Sequence, residues 1–313
     1  MTGPAGRRSR RRTMAWLGAV ACAVLVISVA IPVALTRRAA SPVDPKQDLD
    51  YVGLYQQSMP GSLAGAAAFT AATGVKPDVL MYYSAWQTPF QAAFATTAAQ
   101  RGAVPLVQMN PTNVSLAAIA AGQYDGYLDS YAEAVRVYGR QVILGFGHEM
   151  NGNWYSWGYT RTNPVAFVDA WRHVVTLFRR QGVRNVTWLW TANIMVTGGI
   201  PSPAQWWPGS AYVTWVGLDG YYYSSSYTFA SLFGPTIAAV RAFTHDPILI
   251  SETGAAQGPD QPAKIADLSA GVRLYGLLGF VWFDAKTDRD WRIESPPAIA
   301  AFRQAKAYYR PTS

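Results

Sequence analysis

Cysteine is almost absent from this sequence. Cys22 is the only one in 313 residues, and none follows it. A disulfide framework and a cysteine metal cage are both excluded, so the fold must be held by its core. Histidine is nearly as scarce. His148, His173 and His245 are too dispersed to propose a metal site. Charged residues make up only 14%, while half the chain is hydrophobic and 13% is aromatic, which excludes a disordered chain. Net charge is also missing from most of the chain. Eight of the 26 basic residues and one of the 18 acidic ones lie in residues 1–46, which carries +7 of the total +8. The body is close to neutral, which argues against nucleic acid as a partner.

The basic leader reads as a membrane signal. Residues 1–13 hold five arginines, and residues 14–35, "MAWLGAVACAVLVISVAIPVAL", hold no charge. Twenty-two apolar residues are enough to span a bilayer. The arginines before them predict a cytoplasmic N-terminus and an exported body. Arg37 and Arg38 sit badly beside a cleavage site, so the pattern favours an uncleaved anchor over a cleaved signal. Cys22 has apolar sequence on both sides and matches a lipidation box poorly. Residues 36–48, "TRRAASPVDPKQD", read as a tether, and 49–313 as one domain.

That domain alternates two kinds of segment. Strand-like runs cover 51–56, 79–86, 104–110, 141–149, 186–193, 213–222, 247–254 and 279–285. Several are nearly continuous apolar runs, as expected of parallel strands buried on both faces. Helical patterns lie between most of them. "DGYLDSYAEAVRVYG" spaces Tyr127, Leu128, Tyr131, Val135 and Tyr138 by three or four. "NPVAFVDAWRHVVTLFRRQG" opens on an asparagine cap and a proline and closes on arginines and a glycine. Eight such units in about 260 residues predict an α/β fold, a single-domain (β/α)8 TIM barrel. A doubly wound sheet would carry a glycine-rich loop after its first strand; "QQSMPGS" is no such loop.

Chemistry in a barrel of this kind collects at the C-terminal strand ends. Those ends offer Trp86, Gln108, Asn110, His148, Glu149, Asp219, Tyr221, Tyr222, Glu252, Trp282 and Asp284. Glu149 and Glu252 close long apolar runs, where a charge is costly without partners or a task. Two carboxyl groups facing each other across a barrel mouth are what glycosidic bond hydrolysis needs. Aromatic rings suit the apolar faces of sugars, so Trp154, Trp157 and Trp282 are candidates for groove walls. Trp188, Trp190 and Trp215 fit core packing better. "HEMNG" begins like a zinc-protease motif, but Gly152 stands where the second histidine would be. There is no GxSxG elbow, no P-loop and no dinucleotide fingerprint, so no cofactor or metal is expected.

The stretch "HEMNGNWYSWG" resembles glycoside hydrolase family 26, the β-mannanase family. The resemblance extends through "WVGLDGYYY", "ISETG" and "VWFDAKTDRDWRI" and covers about residues 50–310. It implies Glu149 as acid/base and Glu252 as nucleophile of a retaining mechanism, with carboxyls roughly 5–5.5 Å apart. It also implies substrate contacts from His148, Asn151, Trp154, Trp157, Tyr221 (Tyr222 being the alternative) and Trp282. Many members carry an arginine where this chain has Gly145, and "QMNP" lacks the aromatic or acidic residues expected at the third strand end. The resemblance implies an endo-acting hydrolase of mannan, mixed-linkage β-glucan or β-1,3-xylan. A surface carbohydrate-binding barrel with little turnover is the reading from another class. The expected partner is a polysaccharide or oligosaccharide, bound by a monomer attached to the membrane through its N-terminal segment alone.

Overall fold

A computed structural model describes residues 51–195 and 199–307. The anchor and tether expected in residues 1–48 lie outside them. Eight parallel strands close into a barrel in chain order. They are β1 (Tyr51–Tyr55), β2 (Val79–Ala85), β3 (Val104–Asn110), β4 (Val142–Phe146), β5 (Val186–Asn193), β6 (Trp215–Tyr222), β7 (Ile248–Ala255) and β8 (Gly279–Phe283). β1 pairs with β8 over five residues, which closes the ring. Among the described residues, no helix is long and apolar enough to cross a membrane.

The outer ring holds α1 (Ala64–Thr73), α2 (Ala92–Gln100), α3 (Leu116–Ala120), α4 (Asp125–Tyr138) and α5 (Pro164–Arg180), then α6 (Phe229–Arg241), α7 (Gln261–Leu274) and α8 (Pro296–Ala307). The alternation is less regular than the sequence suggested. Two helices follow β3, and only a 3₁₀ turn, Pro203–Trp206, is described after β5. α5 starts as its sequence dictates: Asn163 caps it by accepting from the Val165 N–H at 2.8 Å, with Pro164 in the first turn. Its buried stripe, including Phe167, Trp171, Val174 and Phe178, packs inward.

The core has two layers. Inside the barrel, Val79, Met81, Leu106, Ile143, Leu189, Leu249 and Val281 form one buried cluster. Alternate residues on the same strands face outward and join the helices in a much larger cluster. Trp188 and Trp190 belong to that outer cluster, as expected of core residues. Each fully buried large apolar side chain contributes about 1.5–3 kcal/mol, so the two layers supply the stabilisation that disulfides do not.

The strand ends depart from the sequence reading at β4. The apolar run predicts a strand to residue 149, but β4 stops at Phe146. Gly147 and Glu149 both adopt positive φ, 57° and 54°. Two left-handed residues break the ladder and turn the chain back over the barrel mouth.

Candidate active site

That turn positions Glu149. The left-handed backbone is strained for a residue with a β-carbon, costing roughly 1–3 kcal/mol. It is held by the Glu149 N–H, which donates to the Thr191 carbonyl on β5 at 2.9 Å. The side chain is buried at 6% exposure. Its Oε2 accepts from Trp154 Nε1 at 2.8 Å, and its Oε1 accepts from Asn193 Nδ2. Glu252 sits on β7, where the pairing with both β6 and β8 shifts register. Such irregularities re-aim side chains at barrel rims. Its two oxygens accept from two phenols, Tyr221 on β6 and Tyr83 on β2.

The two glutamates border one cavity of about 290 Å³. Trp154, Asn193, Tyr221, Tyr223, Tyr227 and Leu232 line it with them. Burial pushes the Glu149 carboxyl up to about 8, and the charge of Glu252 adds to the rise against the N–H donors of Asn193 and Trp154. Burial also raises Glu252, but the hydroxyls of Tyr221 and Tyr83 oppose that and favour its ionised form. One carboxyl is therefore equipped to hold a proton at neutral pH, and its neighbour to carry the charge.

A third carboxyl lies beneath them. Asp219, paired in register with Glu252, is fully buried. Ser251 Oγ donates to its Oδ1 at 2.6 Å, while Oδ2 has no protein partner. Burial, and after it the charge of Glu252, raises it well above the usual carboxylate range, which favours its neutral form. His148, Asp219 and Glu252 bring potential ligand atoms within 4.8 Å of one another. Both ring nitrogens of His148 are engaged, however, by Asn110 Oδ1 and Tyr155 OH at 3.0 Å each. Burial holds the ring down to about 3, so it is neutral. This is the hydrogen-bonding of a structural support rather than of a metal ligand.

Other expected site residues part company with the cavity. Asn151 is fully buried and clasps the backbone of Asn193, donating to its carbonyl and accepting from its N–H at 2.8 Å each. It positions the residue that touches Glu149 and does not itself line the cavity. Trp157, 2% exposed, donates to the His148 carbonyl and stacks on Tyr155 at 4.3 Å. It props the loop and does not line the cavity of the two glutamates. Trp282 is fully buried on the outer face of β8, against Phe302, with its Nε1 bonded to the Trp291 carbonyl. The reason is strand alternation: Val281 faces the barrel interior, so Trp282 cannot. Phe283 and Trp291 stand near Tyr221 instead, with ring centroids 5.8 and 4.6 Å from it. Tyr222 points outward to Asp267, which leaves Tyr221 as the strand-six tyrosine at the site. Trp86 packs against Tyr124 and Tyr127, and Asp284 is tied to Gln56 and the Ile293 N–H.

Sequence reasoning missed Tyr83, Asn193 and Tyr155. Tyr83 continues the inward alternation of Val79 and Met81 on β2, but "MYYSAW" offers two adjacent tyrosines of identical appearance, and Tyr82 faces outward. Asn193 closes β5 and was legible as a polar strand end. Tyr155 was visible only as one aromatic among several.

A closed (β/α)8 barrel with two buried carboxyls at β4 and β7, one set to hold a proton and one to ionise, has the equipment of a glycosidase. Residues 87–301 match Glycosyl hydrolase family 26, and the chain belongs to that family of O-glycosyl hydrolases. It is 29% identical over 272 residues to Endoglucanase H of Acetivibrio thermocellus, which covers 81% of this chain and 30% of that protein. The chain thus matches about a third of that relative's length. A β-1,3-xylanase of Alcaligenes sp. is 25% identical over 184 residues, 55% of this chain and 35% of its own. In structure it is similar to the catalytic domain of the Bacillus sp. JAMB-750 endo-β-1,4-mannanase. The TM-score is 0.65 at 15% identity, covering 84% of this chain and 86% of that one. At that identity the likeness concerns the fold.

Proposed function

We propose that this chain is a retaining, endo-acting β-glycan hydrolase that cleaves mannan. The observation that carries the reading is the pair Glu149 and Glu252, buried at one cavity in opposite hydrogen-bond settings. Glu149 donates its proton to the glycosidic oxygen as that bond breaks. Glu252, ionised under its phenols, attacks the anomeric carbon and forms a glycosyl ester. Water then enters, gives its proton to Glu149, and releases the sugar from Glu252. Trp154, 47% exposed beside Glu149, offers an indole face to the leaving-group sugar. Two carboxyls suffice for this chemistry without a cofactor.

Mannan is the glycan implied by the resemblance of "HEMNGNWYSWG" to the β-mannanase family. A β-glucan is the second reading, favoured by the long match to Endoglucanase H. Reducing-sugar release from mannan, barley glucan, β-1,3-xylan and cellulose decides between them. Binding without release on every polymer would leave a carbohydrate-binding barrel. On the polymer that is cleaved, Glu149→Ala abolishes turnover but keeps a burst with an activated aryl glycoside, whose leaving group needs no proton. Equal loss on both substrates would remove Glu149 from the acid/base role.

A further inference from the structure

Among the described residues, the carboxylate read as the nucleophile has no positive partner. No basic side chain among the described residues contributes to the ionisation of Glu149 or Glu252. The groups that face Glu252 are Tyr55 from β1, Tyr83 from β2, His148 and Glu149 from the β4 end, Tyr155 beyond it, Asp219 and Tyr221 from β6, and Tyr223 just past β6. Of these, His148 is neutral, Glu149 is set to hold its proton, and burial favours the neutral form of Asp219. Among the described residues, the carboxylate is stabilised by two hydroxyl donors, one on each oxygen.

The two donors are not equivalent. Tyr221 borders the cavity together with Glu252, and Tyr83 does not. A sugar in the cavity therefore meets Glu252 on its Oε1 side, where Tyr221 stands. Oε1 must surrender that bond to attack. Tyr83 holds Oε2 from β2, on the far side of the ring of strands. Its own ring is fixed by an edge contact with Tyr55 at 5.1 Å and a tilted contact with His148 at 5.3 Å. Burial and the charge of Glu252 raise its phenol well above the usual range, so it stays a donor wherever the enzyme works.

We propose that Tyr83 is a catalytic residue: the donor that stays on Glu252 Oε2 through both halves of the reaction, in place of a cation. The proposal rests on the reading of Glu252 as nucleophile. In the first half, an Oε1 lone pair forms the bond to the anomeric carbon. The electron pair of the breaking bond passes to the leaving oxygen, which takes the Glu149 proton. Oε2 becomes the ester carbonyl and keeps its bond from Tyr83. In the second half, a water oxygen bonds to the anomeric carbon and its proton goes to Glu149. The pair of the C–Oε1 bond returns to the carboxylate, whose charge Tyr83 again receives. The phenol hydrogen never leaves Tyr83.

The test is Tyr83→Phe, which keeps the ring and its contacts, assayed beside Glu252→Ala. The probe is a 2,4-dinitrophenyl 2-deoxy-2-fluoro-β-glycoside of the sugar the enzyme cleaves, followed by intact-mass spectrometry. Tyr83→Phe is expected to label at Glu252, with labelling and hydrolytic release each slowed about tenfold to hundredfold, the scale of one hydrogen bond to a charged group. The acid limb of kcat/KM should also move to higher pH, because a donor that favours the ionised form is gone. Unchanged rates and an unmoved acid limb would overturn the proposal. If Tyr83→Phe fails to fold, 3-fluorotyrosine in place of Tyr83 keeps the hydroxyl and makes it a stronger donor. The acid limb should then move to lower pH, and no movement overturns the proposal. An active Glu252→Ala that never labels would instead remove the nucleophile assignment itself.

Discussion

The side chain of Gln108 fills the space over Gly145. The two residues face each other in register on β3 and β4. A β-carbon on Gly145 would lie 1.9 Å from Gln108 Oε1 and 3.2 Å from the Leu189 carbonyl oxygen. The arginine that many family members resembling this chain carry at that position has no room here. Gln108 also donates to Thr191 Oγ1 at 3.2 Å, and the Thr191 carbonyl holds the Glu149 N–H. Packing at Gly145 is thus connected to the strained turn that presents the acid.

Gly145→Ala is expected to lower stability by about 1–3 kcal/mol, the usual cost of overpacking a closed core. Gln108→Ala in the same chain should recover most of that loss. A double-mutant cycle in urea measures the coupling. Additive effects of the two changes would show that the contact carries none of the strain.

Trp154→Phe is expected to shift the basic limb of kcat/KM. The indole N–H favours the ionised form of Glu149, whose pKa is already raised to about 8 by burial. Removing that donor raises the carboxyl further, so the limb moves to higher pH. A move to lower pH would mean that the ring shields Glu149 from water more than it bonds to it.

The barrel was legible because its signal is long-range and repeated. Eight apolar runs at regular spacing survive an error of a residue or two at either end. Glu149 and Glu252 were legible because a carboxyl at the end of a buried run needs a reason. Side-chain direction was harder to read. Trp282 lies one residue from the inward alternation of β8, and a slip of one residue changes the face. Asn151 and Trp157 lie in an irregular turn, where no period says which side chain points down. Tyr83 reaches Glu252 across the barrel from β2, a contact separated by 169 residues. Nothing local to "MYYSAW" marks it.

We expect the full chain to fractionate with membranes, and a chain starting near Asp48 to be soluble and active. The motive is the uncharged stretch of residues 14–35 with arginines before it. Fractionation followed by N-terminal sequencing checks this. A mature N-terminus near residue 40, recovered from the medium, would replace the anchor with a cleaved signal.

Asp219→Asn is expected to stabilise the fold at neutral pH. Its buried carboxyl has a folded pKa well above its ordinary value of 3.8, because burial and, after it, the charge of Glu252 penalise its ionisation. Above that ordinary value the unfolded chain releases the proton while the folded chain keeps it. Ionisation therefore favours the unfolded state, and the penalty grows with pH until the folded group itself titrates. Below the ordinary value both states are protonated and the penalty vanishes. An asparagine is neutral at every pH and can still accept from Ser251 at the Oδ1 position, and the oxygen it replaces, Oδ2, has no protein partner to lose. The melting temperature of Asp219→Asn should exceed that of the parent at pH 7, by about 2–4 °C for each kcal/mol relieved. The difference should close as the pH falls toward 4. Calorimetry at several pH values decides the matter: a gain that does not depend on pH would come from packing, and a loss at pH 7 would mean that the ionised carboxylate is the form the fold holds.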